Sequence, residues 1–357
     1  MKIIFNSNCN KNIIKRHVGF TAKLACILLS ACIIASVAQF STFPLAAADR
    51  DHSSKAKKDG SGVGEGSSIH KGSTQSWALT KHNQKHHSDI KNMKEKNRER
   101  SSDDNNKSCN CVIFRLDDVQ DYWLSGIQTT VMDQFIAKNK PLAVGPILDY
   151  IGSDSNVVSK VNSGYQSGLF EIFVHGWDHV DYSQLSLQNQ TSTLQLAKNK
   201  TISLFGVTPK IFVPPYDSFN ADTLSSMNKT GLNIISAADW ADSYPNFIAD
   251  GKRKITDSFG IYHMPSSIGF VDFMPDGSSV RVSNDQILAD VDSSISLRGY
   301  AVVTLHAQDF RQKVNGAPVD VLNQTEISDL NSLMDSLASK HISITTFGKT
   351  TEFRNHF

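Results

Sequence analysis

From Cys111 onward the sequence predicts an α/β barrel folded as one domain, on three observations. Short apolar runs alternate with amphipathic stretches, the pattern of βα units wrapped around a parallel sheet. Seven or eight such units fit into about 240 residues, the size of a single (β/α) barrel. Polar residues able to do chemistry recur just past the apolar runs, at the C-terminal strand ends where such barrels place their sites.

The chain has 357 residues and its beginning carries no barrel pattern. Lys2, Lys11, Lys15 and Arg16 precede an apolar run over 24–40, followed by Ala46, Ala47 and Ala48. That basic, apolar and small-residue order is a secretory signal, so residues 1–48 are expected to direct export, with cleavage after Ala48. About seventeen apolar residues also approach a membrane span, and a retained anchor facing outside is the competing expectation. Residues 49–108 are rich in Ser, Gly, Lys, His and Asn without apolar periodicity, and are expected to form a polar tether that buries too little surface to fold. Its basic excess leaves open both plain solvation and association with anionic polymers of a cell envelope.

The remaining residues, 109–357, are the expected catalytic domain. Asp and Glu outnumber Lys and Arg there, so the folded part has no basic footprint for nucleic acid. Only Cys109 and Cys111 follow the leader. Extended residues two apart lie roughly 6.6 Å apart at Cα, near the limit for a bridge, so free or intermolecular thiols are expected.

Strands are read at 112–116, 142–147, 169–174, 211–213, 233–237, 261–264, 301–305 and 342–346. Helices are read at 126–138, 187–204, 221–229, 285–297 and 326–339, where apolar residues recur at spacings of three and four. Asn284 and Thr325 stand at or just before helix starts as N-cap residues.

His175 and His179 follow the apolar run 169–174. Two imidazoles four apart can hold one divalent ion if the turn coils helically, but that spacing alone suits two partly exposed histidines equally well. Asp117 and Asp118 end the first strand, and adjacent carboxylates repel each other unless a positive charge lies close by. One metal ion would supply it. Pro214, Pro215 and Tyr216 follow the fourth strand, Asp239 and Trp240 the fifth, and His306 the run AVVTL.

The set LDD, HGWDH, VPPY, ADW and TLH, in this order and at these intervals, resembles the polysaccharide deacetylases, the carbohydrate esterase family 4 or NodB-homology enzymes. The resemblance implies a distorted (β/α) barrel of seven or eight strands and a divalent metal ion, usually zinc, bound here by Asp118, His175 and His179. It further implies Asp117 as general base, the backbone N–H of Tyr216 as oxyanion donor, His306 as general acid and Leu305 lining the acetyl pocket. These roles suit the chemistry. Three protein ligands leave a metal position open for water, and amide cleavage needs a base, an oxyanion donor and an acid. Trp177 and Trp240 either floor a sugar cleft or merely pack.

Two positions depart from the family pattern. Val213 stands where the third motif normally has an arginine that restrains the catalytic aspartate, and only Asp239 and Trp240 survive of the fourth. Side chains two apart on a strand share a face, so Arg115 projects to the side of Asp117 and into the interior, where a guanidinium needs carboxylate partners. Asp117 and Asp239 are the candidates by motif order, and Arg115 is expected to take over the restraint. The alternative is that the strand ends at Phe114 and Arg115 lies in solvent.

The expected function is a secreted, metal-dependent deacetylase acting on the N-acetyl groups of a polysaccharide. The competing readings are a hydrolase of a non-sugar amide or O-acetyl ester, and a catalytically silent carbohydrate-binding member. Asp117 and His306 argue against the last, because binding alone needs neither an unliganded base nor an acid.

Overall fold

CVIFRLDDV is apolar at both parities over most of its length, as befits a strand covered on two faces, and it forms the central strand β1 (Cys111–Val119). The computed structural model describes residues 109–249, 256–274 and 278–352. The expected signal 1–48 and tether 49–108 lie outside the described residues.

The further strands are β2 (Leu142–Pro146), β3 (Phe170–Ile172), β4 (Ile211–Phe212), β5 (Ile234–Ile235), β6 (Tyr262–His263), β7 (Ile268–Gly269), β8 (Val271–Phe273), β9 (Ser279–Arg281), β10 (Tyr300–His306), β11 (Arg311–Val314), β12 (Ala317–Leu322) and β13 (Ser343–Thr345). One parallel sheet runs β3-β2-β1-β10-β7 with β13 also paired to β1, and a second runs β4-β5-β6. Val174 bridges Phe212, and Ala238 bridges Ser266, so the two sheets curl into a distorted barrel. Every strand read from the sequence is present.

Alternation along β1 sorts its side chains into two cores. Val112, Phe114 and Leu116 belong to the large cluster beneath the helices, whereas Cys111 and Ile113 join Val213, Ile234, Met264 and Val302 in the barrel interior. Fully burying one such aliphatic or aromatic side chain contributes about 1.5–3 kcal/mol. Arg115 and Asp117 have the inner parity. That places charge in an apolar barrel.

The helices are α1 (Ser125–Ala137), α2 (Ser155–Gln166), α3 (Leu187–Phe205), α4 (Ala221–Thr230), α5 (Asn284–Arg298), α6 (Gln324–Ser339) and α7 (Phe347–Glu352). Two N-caps lie earlier than the sequence reading put them. Ser283 accepts from the Gln286 N–H, and Asn323 accepts from the Thr325 N–H, so Asn284 and Thr325 are already helix-side residues. The hairpins β8–β9 and β11–β12 and the helices α2 and α7 had no counterpart in the reading. Among the described residues no helix is long and apolar enough to cross a membrane.

Cys109 and Cys111 are joined by a disulfide, contrary to the expectation of free thiols. Asn110 between them takes φ 45, and this left-handed bend draws the two Cα atoms to 5.2 Å. The extended-chain assumption behind the expectation therefore fails at that residue.

Candidate active site

Adjacent residues on a regular strand face opposite sides, so Asp117 and Asp118 should not share a site. They do so through a bulge. The pairing of β1 with β2 shifts register between Leu116 and Val119, and Asp118 takes φ 63. This re-aims the Asp118 carboxylate toward the loop after β3, where Oδ1 lies 3.0 Å from His175 Nε2 and 2.9 Å from His179 Nε2.

The loop carrying both histidines is irregular, not the helical turn the spacing suggested. Gly176 at φ 76 and His179 at φ 54 reverse the chain so that the two rings meet at 5.1 Å. At Gly176 a Cβ would also stand 3.0 Å from Pro215, so this glycine lets the third-motif loop pack against the histidine loop.

One ligand atom each from Asp118, His175 and His179 lies within 4.8 Å of the others. The donor set fits a divalent ion. His175 Nδ1 donates to the Val213 carbonyl at 2.9 Å, which leaves Nε2 turned toward the site as a ligand atom. Two imidazole nitrogens and a carboxylate oxygen at such separations need a cation among them, either protons or a metal ion. The electrostatics agree. Burial, the largest influence, raises the Asp118 pKa, but hydrogen bonds from His175 and His179 outweigh it and hold the carboxyl well below the usual range. Burial likewise favours neutral His175, yet Asp118 and Asp117 raise its pKa.

Asp117 is buried, with Oδ2 3.1 Å from Arg115 Nη2. Its Oδ1 is buried with no hydrogen-bond partner among the described residues. One oxygen is therefore anchored and the other is available to a proton. Arg115, 3 % exposed, also donates through Nη1 to the Ser236 carbonyl and hydroxyl and lies 3.4 Å from Asp217 Oδ1. Asp217 in turn accepts from the Ala238 N–H at 2.8 Å. Burial raises the Asp217 pKa above its ordinary value, opposed by Arg115.

His306 lies in register with Asp117 across the β1–β10 pair. Its backbone N–H donates to Asp309 Oδ2 at 2.7 Å, and Nδ1 lies 3.8 Å from the same oxygen. Burial lowers the imidazole pKa, but Asp309, together with Asp117 and Asp118, overcomes this and pushes it up to about 9. The Phe273 ring from β8 stands 6.3 Å from that of His306.

With this geometry in place, the polysaccharide deacetylase family profile matches residues 105–235. That match covers little more than a third of the chain, and over this stretch the chain is similar to the polysaccharide deacetylases. A chitin deacetylase of Pestalotiopsis sp is 32% identical over 94 residues, which is 26% of this chain and 28% of that protein, so the chain spans less than a third of the relative's length. Among solved structures, the Xyl-CE4 domain of a multidomain xylanase from the hindgut metagenome of Trinervitermes trinervoides superposes with a TM-score of 0.43 at 15% identity, covering 69% of this chain and 91% of that one. A family 4 acetyl xylan esterase from Clostridium thermocellum gives 0.45 at 14% identity, covering 69% and 92%.

Other positions of this barrel differ from the sequence reading. Asp239 pairs with Arg298 at 3.4 Å, not with Arg115, whose second carboxylate is Asp217. Leu305 is fully buried in the cluster beneath the helices, beside its register partner Leu116, so strand alternation turns it to the face opposite His306. Trp177 is half-buried with Lys200 Nζ 5.5 Å above its ring, while Trp240 is 40% exposed. Val213 fills the interior with its side chain and orients His175 with its carbonyl. Asp118, His179, Tyr216 and Asp217 all have positive φ without being glycine, at about 1–3 kcal/mol of strain each. Asp217 and Asp309 were missed as partners. Their only sequence signal was that each follows a motif residue by one and three positions.

Proposed function

We propose that the chain is a Zn2+-dependent hydrolase that removes N-acetyl groups from a polysaccharide. The observation that carries this reading is one strand-end surface bearing an ion-binding triad, a carboxylate oxygen without a partner and an imidazole: Asp118, His175 and His179, then Asp117, then His306. An ion held by the triad supplies Lewis acidity toward a water molecule and the acyl oxygen.

The chain's own groups handle the protons. Asp117 takes one from the water as its oxygen bonds to the acetyl carbon, while Arg115 keeps the carboxylate aimed. The Tyr216 N–H donates to the oxygen that gains charge. His306 gives a proton to the nitrogen as the C–N bond breaks, leaving a free amine and acetate. An imidazolium held by Asp309 suits an amide, whose nitrogen departs only once protonated. The exposed aromatic residues Trp240, Tyr216 and Phe273 offer faces for sugar rings. Residues 1–48 and 49–108 would serve export and tethering.

Acetate release tests the reading, with acetylated chito-oligomers, O-acetylated xylan and small cyclic amides compared side by side. Stoichiometric acetate and amine from the chito-oligomers are expected. Opening of a cyclic amide, with no acetate from any glycan, would replace a sugar substrate with a non-sugar amide.

A further inference from the structure

We infer that Asp217 is a positioning residue that couples the general base to the turn presenting the Tyr216 N–H, an inference that rests on the function proposed above. Arg115 Nη2 lies between two carboxylates, 3.1 Å from Asp117 Oδ2 and 3.4 Å from Asp217 Oδ1. The other end of the guanidinium is fixed on β5's extension, where Nη1 donates to the Ser236 carbonyl and to its hydroxyl at 3.0 Å. Asp217 Oδ1 also receives the Ala238 N–H at 2.8 Å. A carboxylate in the turn after β4 is thus clamped between β1 and the end of β5.

The turn needs such a clamp. Tyr216 at φ 59 and Asp217 at φ 54 are consecutive left-handed residues, a backbone state that persists only where its surroundings impose it. The Tyr216 ring is 59% exposed and touches the His179 ring edge-on at 4.7 Å, a light anchor for a strained pair. The part-buried bonds of the next side chain, to Arg115 and to the Ala238 N–H, are the stronger one. Since Nη2 serves both carboxylates, the position of the base and the conformation of the oxyanion turn are set by the same group. Loosening either end should disturb both.

The test uses the full-length protein with Asp217→Asn, Asp217→Ala, Arg115→Met and the Asp217→Ala/Arg115→Met pair. Amide exchange at Ala238 and across residues 216–218 is read first, then Zn2+ stoichiometry, then kcat and KM for acetate release from acetylated chito-oligomers. In Asp217→Ala the Ala238 amide and the turn should exchange faster, Zn2+ should stay at the wild-type ratio, and kcat should fall about 10²-fold with little change in KM. Asp217→Asn keeps an acceptor for Ala238 without the charge and should fall about 10-fold in kcat. The double variant should be no worse than the poorer single one, because both act through one unit. Wild-type exchange in Asp217→Ala, wild-type kcat in it, or a loss of kcat matched by loss of Zn2+ would each overturn the coupling. If wild-type protein releases no acetate, the function reading fails by itself. Exchange in the 216–218 turn on Arg115→Met then decides the coupling, faster exchange supporting it and unchanged exchange overturning it.

Discussion

Asp309→Asn should strip His306 of the partner that keeps it protonated. His306 places Nδ1 3.8 Å from Asp309 Oδ2, and Asp309 is buried. Burial acts first and lowers the imidazole pKa, yet Asp309 raises it by hydrogen bonding and charge, and the net value is about 9. The other charges facing the ring, Asp117 and Asp118 on β1, act in the same direction. Because the folded value lies above the ordinary 6.5, the stabilisation from this proton is complete below about pH 6.5 and is lost as pH rises through about 9. Asparagine keeps an oxygen for the His306 backbone N–H and removes the charge. Bringing the imidazole back toward its ordinary value cuts its protonated fraction at pH 8 from about nine-tenths to about one-thirtieth. kcat/KM at pH 8 should then fall at least about 30-fold relative to wild type, with the difference shrinking toward acid pH. A bound ion lowers the His306 pKa in both proteins alike, so the displacement between their two pH–rate profiles is the quantity to measure. Coincident alkaline limbs would refute the assignment of His306 as an acid held by Asp309.

His179→Ala should lose bound metal, since two remaining ligands hold the ion poorly; full Zn2+ stoichiometry by elemental analysis would remove His179 from the triad. Asp117→Asn should keep the ion and lose about 10²–10⁴-fold in turnover, measured as acetate per bound Zn2+. Loss of the ion in that variant would exchange the roles of the two aspartates. At the opposite end of the barrel, burial raises the Glu171 pKa to about 7 although the Phe347 and Gly348 N–H groups donate to its carboxylate. The folded state therefore holds that proton more tightly than the unfolded chain, and stability should fall as pH rises from about 4.5 to about 7. Glu171→Gln should flatten this part of the melting-temperature profile, and an unchanged slope would trace the titration to another group.

What the sequence made legible follows from what burial does to composition. The barrel strands are covered on both faces, so runs such as VIF and AVV stood out, and the residues just beyond them form the candidate site. The hairpins β8–β9 and β11–β12 bury little, and Phe273, Val280, Val314 and Val321 are exposed, so no apolar face marked them. α2 buries Val157, Val161 and Gly164 at spacings of four and three, so its period was present in the sequence and went unread. The ion ligands were readable as a set, but not how they meet. The bulge at Asp118 and the left-handed His179 are backbone events that residue type alone does not announce. The same holds for Asn110, whose bend made the disulfide possible. Parity along β1 did place Arg115 beside Asp117. It could not name the second carboxylate, because Asp217 reaches Arg115 from a turn whose path depends on two left-handed residues, and Asp239, the motif-order candidate, is taken by Arg298.

The measurement that bears most directly on a metal-dependent deacetylase is a Zn2+ titration of chelator-stripped protein, with acetate release from an acetylated chito-oligomer as the readout. Activity should be absent without the ion, rise linearly and level off at one equivalent, and fail to return in His179→Ala. Full acetate release from stripped protein, or none at any Zn2+ concentration, would contradict the account.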